Sequence, residues 1–191
     1  MNAIDKFVQI CVEHNLVGDN WEAEWLSFVL KKKISLIINT CIMLLIGTYI
    51  CSFMETISFL LTFLFLRSRT NGIHAKSYAQ CFFLSILCEL FFISLPTYIS
   101  SFFLNLVRDL SVATIFIFAP YRHPLMHLND TEVKACANDA KIRALILELL
   151  ALLLSFCDIY DAYLGISLGI IMTAMLLVLA YGNIEEVKYE Q

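Results

Sequence analysis

The sequence predicts an all-α protein embedded in a membrane: a polytopic helical bundle of about six transmembrane helices behind an amphipathic N-terminal helical region. Three observations predict it. The 191-residue chain is 60% hydrophobic and 16% charged, whereas soluble domains run near about 45–50% apolar and about 25% charged. Apolar stretches recur along the whole chain, several of them long enough to cross about 30 Å of hydrocarbon. Lys and Arg gather in alternate connectors, as the positive-inside rule requires. Four spans with two further segments lying in the interface would give the same pattern. The length allows one domain, 1–191, and the net charge of −4 lacks the basic footprint of a nucleic-acid binder.

Residues 1–33 form the amphipathic region. Ile4, Phe7, Val8 and Cys11 recur at helical spacing between Asp5, Lys6, Gln9 and Glu13. Gly18 interrupts, and Asp19 or Asn20 can cap a second helix carrying Trp21, Trp25, Phe28 and Val29. Such Trp spacing beside a span marks an interfacial helix; an ordinary packed helix would show it too. Lys31–Lys33 then precede the uncharged stretch Ile34–Met54, the first span. A second crossing covers roughly Cys51–Leu66, turned near Glu55. After the polar connector 67–77, a third span ends at Pro96 and a fourth at Pro120. A second polar segment, 121–143, precedes spans at Ala144–Cys157 and Ala162–Tyr181, joined by a short Asp-Ile-Tyr-Asp turn. No secretory signal is evident, because the first apolar run follows a charged leader and has no small-residue cleavage site. The basic connectors and both termini fall on the cytoplasmic side, and the turns near Glu55, Pro96 and Asp158–Asp161 on the other.

The seven cysteines are irregularly spaced and form no CxxC pair, so neither a zinc ribbon nor a thioredoxin-type site is supported. Cys41, Cys51, Cys88 and Cys157 sit in apolar runs, where Cys acts as a small hydrophobe. The connector is chemically richer. Ser77-x-x-Gln80 is a capping-box pattern ahead of an apolar run, which places a helix start at Ser77 and Cys81 at the end of its first turn. The positive end of that helix, with Lys76, Arg67 and Arg69 nearby, favours the thiolate that a nucleophilic Cys needs. On one straight helix, His74 and Cys81 would be separated by roughly 10 Å, too far for a general base. With His74 in the loop, and Gly72 giving that loop freedom to turn, the two can meet. The connector thus holds the parts of a Cys–His nucleophilic site at a membrane surface; an incidental His and Cys would read the same way.

The arrangement Arg67-x4-Gly72-x-His74-Ala75-x5-Cys81 resembles the AgrB family (accessory gene regulator protein B), bacterial membrane cysteine endopeptidases that mature a quorum-sensing propeptide. The size, the amphipathic N-terminus, the spans on both sides of the motif and the Ala119–Leu125 segment "APYRHPL" extend the resemblance over essentially the whole chain. Asn71 stands before Gly72 where many members have paired Gly. The later loop has scattered Arg122, Lys134, Lys141 and Arg143 where many have a dense basic run. The resemblance implies that Cys81 attacks a carbonyl in the C-terminal part of an AgrD-like propeptide, with His74 as base and then acid. An internal nucleophile of the peptide then takes the acyl group and closes a thiolactone or lactone. It also implies a multi-pass protein of the bacterial cytoplasmic membrane, in contact with the lipid bilayer, with a cytoplasmic active site and no cofactor, and it suggests a homodimer. Arg67, Gly72 and Lys76 are candidates for binding the oxyanion or the substrate. Backbone N–H groups at the Ser77 helix start are further oxyanion donors. Glu89, two turns beyond Cys81, is a candidate to orient His74, and Asp109 a weaker one that can instead pair with Arg108.

Two other readings use other residues. In a small transporter or permease subunit, Arg108, Asp109 and Glu55 would line a path. In a membrane metalloprotease, His123 and His127 would bind metal, but Pro124 lies between them and no HExxH acid accompanies them; the expectation is no metal. Small residues of the last span (Gly165, Ser167, Gly169, Thr173 and Ala174) permit close helix packing.

Overall fold

The computed structural model describes residues 3–14, 20–70, 78–94, 100–121 and 129–189. Among them are seven helices and no strand: α1 (Ala3–Glu13), α2 (Asn20–Ile50), α3 (Phe53–Thr70), α4 (Tyr78–Ser94), α5 (Ser101–Phe118), α6 (Asp130–Phe156) and α7 (Tyr160–Tyr189). The chain divides into two compact units, Met1–Met43 and Leu44–Gln191.

In the first unit, α1 buries Val8 and leaves Phe7 and Ile10 exposed. The Trp-bearing helix and the span beginning at Ile34 are one helix, and α2 runs uninterrupted from Asn20 to Ile50. No Gly or Pro lies between Trp25 and Ile34, and Lys31–Lys33 are good helix formers. A switch from polar to apolar side chains changes what a helix touches without ending it.

In the second unit the turn after α2 comes earlier than expected. Only Cys51 and Ser52 separate α2 from α3, and Glu55 belongs to the first turn of α3 instead of marking the bend. Ser52 is the reason: its Oγ accepts the Glu55 N–H at 3.1 Å, and its carbonyl accepts from the Thr56 N–H and the Thr56 hydroxyl, each at 3.1 Å. Ser52-x-x-Glu55 is a capping pattern that apolar run lengths obscure. The last two spans differ in a similar way. The expected loop 121–143 is helical from Asp130, because the Asn129 N–H donates to Glu132 Oε2 at 2.9 Å and closes the first turn of α6. Cys157 caps α6 instead of lying in a span. Asp158 takes a left-handed φ of 58°, a conformation Asp tolerates better than most residues, and α7 starts at Tyr160.

The core of this unit is α7, which packs against α3, α4, α5 and α6. Its small residues make this possible. A Cβ on Gly165 would run into the Glu55 carbonyl and lie 2.8 Å from Phe59 N, and one on Gly169 would lie 2.8 Å from the Thr62 side chain. The close packing that the last span permits is therefore spent inside the chain, on α3. Ser167 and Thr173 are buried on the same helix and return their hydroxyls to the Tyr163 and Gly169 carbonyls, each at 2.8 Å. Large apolar residues point outward: Phe102, Leu106 and Leu110 on α5, Leu145, Leu149 and Leu153 on α6. Small residues at the α3–α7 contact and large apolar ones facing outward are the pattern of helices packed in lipid, where exclusion from water does not drive their association.

Helix directions follow from these pairs. Gly165 lies at Glu55 and Gly169 at Thr62, so α3 and α7 run parallel. Tyr163 bonds Asn105 and Tyr181 bonds Phe118, so α5 runs with them. α6 runs the other way, since Asp139 meets Arg69 and Arg143 meets Phe65. α2–α7 thus take the places of the six predicted crossings. Among the described residues, three stretches are long and apolar enough to cross a membrane: Glu22–Ile50, Ser101–Phe118 and Tyr160–Gly182. Phe83–Ser94 is a shorter apolar stretch; α3 carries Glu55, Arg67 and Arg69, and α6 opens on the polar segment Asp130–Arg143.

Candidate active site

The end of α3, the end of α5 and the start of α6 lie at one end of the second unit. The last turn of α3 carries Arg67 and Arg69, cations that suit the negative end of a helix. Arg69 Nε lies 3.3 Å from Asp139 Oδ2 of α6, and its Nη1 lies 3.9 Å from Cys136 Sγ. Arg143 of α6 donates from Nη1 to the Phe65 carbonyl and to Ser68 Oγ, each at 2.7 Å. Its guanidinium sits 4.3 Å from the Phe65 ring centroid. The Thr70 carbonyl, the last of α3, accepts the Tyr121 N–H at 2.9 Å. Tyr121 is buried and packs edge-on against Tyr181, whose hydroxyl donates to the Phe118 carbonyl at 2.9 Å. The start of the "APYRHPL" segment is thus tied to the end of α3.

The nominated site residues distribute as follows. Arg67 is half-buried on the last turn of α3. Cys81 is the fourth residue of α4, whose first residue, Tyr78, follows the nominated cap Ser77. The backbone N–H groups of such a turn have no partner within the helix and carry its positive end. Gly72, His74, Lys76 and Ser77, the side chain of Cys81, and His123 and His127 lie outside the described residues. Glu89 is fully buried, eight residues past Cys81 and so about 12 Å further along α4. Its carboxylate lies against Gly47, with Oε1 3.1 Å from where a Cβ there would stand, beside the Thr56 side chain. That is the level of the α2–α3 turn, toward the end of α3 opposite the connector. Neither carboxylate oxygen has a hydrogen-bond partner among the described residues.

A second polar group was half visible in sequence. Arg108 is 2% exposed and meets its neighbour Asp109 at 3.2 Å. Its shorter pair is with Glu148 of α6, at 2.7 Å, and it stands 5.7 Å from the Tyr163 ring centroid. Tyr163 in turn donates to Asn105 Oδ1 at 2.7 Å. Sequence reasoning found Arg108 and Asp109 and missed Glu148. The available signal was that an acid and a base in two apolar segments each need a partner. No cluster of three or more His, Cys, Asp or Glu capable of holding a metal occurs among the described residues.

The family model for Accessory gene regulator B matches residues 4–179. The chain belongs to the AgrB family. The match reaches from α1 into α7, so it spans the bundle and both connectors and not the motif alone. No curated protein and no solved structure matches the chain. AgrB proteins are membrane proteins that take part in processing an autoinducing peptide, and the outward apolar faces of α5 and α6 fit that setting.

Proposed function

We propose that this chain is a membrane cysteine endopeptidase that cleaves an AgrD-like propeptide in its C-terminal part and promotes cyclisation of the upstream product. The observation that carries the reading is the Arg67, Gly72, His74 and Cys81 arrangement within an AgrB family match of nearly full length. Support comes from Cys81 falling in the first turn of α4, where helix polarity favours a thiolate.

In this reading His74 takes the Cys81 proton as sulfur attacks the scissile carbonyl. The C–N bond then breaks, the leaving amine takes the proton from His74, and an acyl-thioester remains on Cys81. Arg67 and N–H groups at the start of α4 are the candidates for stabilising the intermediate oxyanion. A thiol or hydroxyl within the bound peptide attacks the thioester, losing its proton as the ring closes and Cys81 departs. Exchange between thioesters is nearly balanced, whereas hydrolysis is strongly downhill, so the site must hold the internal nucleophile close and keep water out. A site where a polar connector meets the bilayer suits both demands. The active site and both termini then face the cytoplasm, on the side of the basic connectors, and two copies of the chain associate.

The test is cleavage of a propeptide by the full chain in membranes. Cys81→Ala and His74→Ala are expected to abolish it with expression intact, and mass spectrometry of a slowed reaction should find the acyl group on Cys81. Cleavage that survives Cys81→Ala would refute the reading. A chelator is expected to leave the rate unchanged; a rate that collapses would restore the metalloprotease alternative.

A further inference from the structure

We propose that Arg143, with the Arg69–Asp139 pair, forms a clamp through which α6 positions the last turn of α3, and with it Arg67, for the reaction at Cys81. The inference rests on the peptidase reading above. It starts from an imbalance at the end of α3. A helix terminus normally frays, because its last carbonyls have no partner within the helix. Here the end is held at several points by other elements. Arg143 reaches back along the α3 surface to the Phe65 carbonyl and Ser68 Oγ at 2.7 Å each, with its guanidinium stacked on the Phe65 ring. One turn closer to the connector, Arg69 is held by Asp139 at 3.3 Å. At the final residue, the Thr70 carbonyl takes the Tyr121 N–H.

These contacts add little to global stability where they are most exposed. The Arg69 and Asp139 side chains are 40% and 44% exposed, and water screens such a pair. Their geometric effect is larger. Arg143 and Asp139 are one turn apart on α6, and they grip sites on α3 about one turn apart, Phe65–Ser68 and Arg69. Two grips at different heights fix rotation about the α3 axis as well as translation, and rotation decides where Arg67 points. Arg143, Arg69 and Asp139 are therefore positioning residues, acting through Arg67 and the chain that leaves Thr70. A small displacement of a catalytic group is costly in rate, so the cost should appear in turnover more than in binding.

The experiment uses the full chain in proteoliposomes and an AgrD-like propeptide. Arg69→Asp and Asp139→Arg are each expected to lower kcat about tenfold or more with KM little changed. Combined, the reversed pair should regain most of the lost kcat, and Arg143→Lys should retain more than Arg143→Ala. Ser68→Ala removes one anchor without adding charge and carries the test where the charge reversals do not fold. It should lower kcat several-fold, and an unchanged kcat overturns the clamp. Folded single variants with full kcat, or a reversed pair no better than its parents, also overturn it. Cys81→Ala is run alongside. If that chain still cleaves, the peptidase reading falls and takes the clamp with it; if it is dead while the clamp variants stay fully active, the clamp alone falls.

Discussion

At the residue scale, the chain places its charges according to what each can reach. Arg108 is nearly sealed from solvent and meets Glu148 at 2.7 Å, while its Nε and Nη1 and Glu148 Oε2 have no hydrogen-bond partner among the described residues. A buried pair of this kind is expensive to break, since removal of one partner strands the other. Arg108→Ala is expected to destabilise the protein by about 3–5 kcal/mol, and Arg108→Met combined with Glu148→Met by much less. Unfolding in mixed micelles, compared between single and double variants, checks this. Glu89 makes a different case. Its carboxylate lies against Gly47, at the level of the α2–α3 turn, so Glu89→Gln is expected to keep propeptide cleavage within a few-fold of the parent rate. A loss as large as that of His74→Ala would instead give Glu89 the orienting role that its spacing from Cys81 first suggested. The sequence shows which residues are ionisable and where they sit along a helix. Arg108 pairs with its neighbour Asp109, but that it also meets Glu148 depends on which helix lies next to α5, and no local pattern encodes that.

At the element scale, two kinds of signal operated. Run length and composition located all six helices after α1, because an apolar stretch bounded by polar residues is a local property. Caps set the ends. Ser52 placed the α2–α3 turn ahead of Glu55, Asn129 moved the start of α6 away from where hydropathy alone put it, and the polar turns Asp130–Arg143 became part of a helix. The packing of α7 on α3 depends on Gly165 and Gly169. A side chain at Gly165 would collide with the α3 backbone, which cannot move aside as a flexible side chain can. Gly165→Leu is expected to cost about 1–3 kcal/mol or more by overpacking and to lower the yield of folded protein. Gly182→Leu, on the same helix with nothing within 4 Å of a Cβ, should be close to neutral. Thermal unfolding of the purified variants distinguishes them, and equal losses would show that α7 does not pack on α3 through this face.

At the scale of the whole molecule, the helix directions bring the ends of α3 and α5 and the start of α6 to one end of the second unit and the turns at Cys51–Ser52 and Cys157–Ile159 to the other. Reporter tags inserted at 52 and at 158 are therefore expected on the opposite side of the membrane from tags at 73 and at 125. Protease or alkylation accessibility in sealed vesicles measures this, and all four tags on one side would contradict a spanning bundle. The sequence by itself determined that the chain is helical and membrane-embedded, which family it resembles, and that a His and a Cys stand seven residues apart between the second and third apolar runs. Those are properties of composition, of short-range periodicity and of a motif confined to a few turns. Only the tertiary structure decided that α7 is the central helix, that Glu148 is Arg108's partner and that Arg143 and Asp139 grip the end of α3. Each of these rests on contacts between residues dozens of positions apart. Helices of similar hydropathy can exchange neighbours without changing any local signal, so such contacts exist only once the helices have chosen their partners.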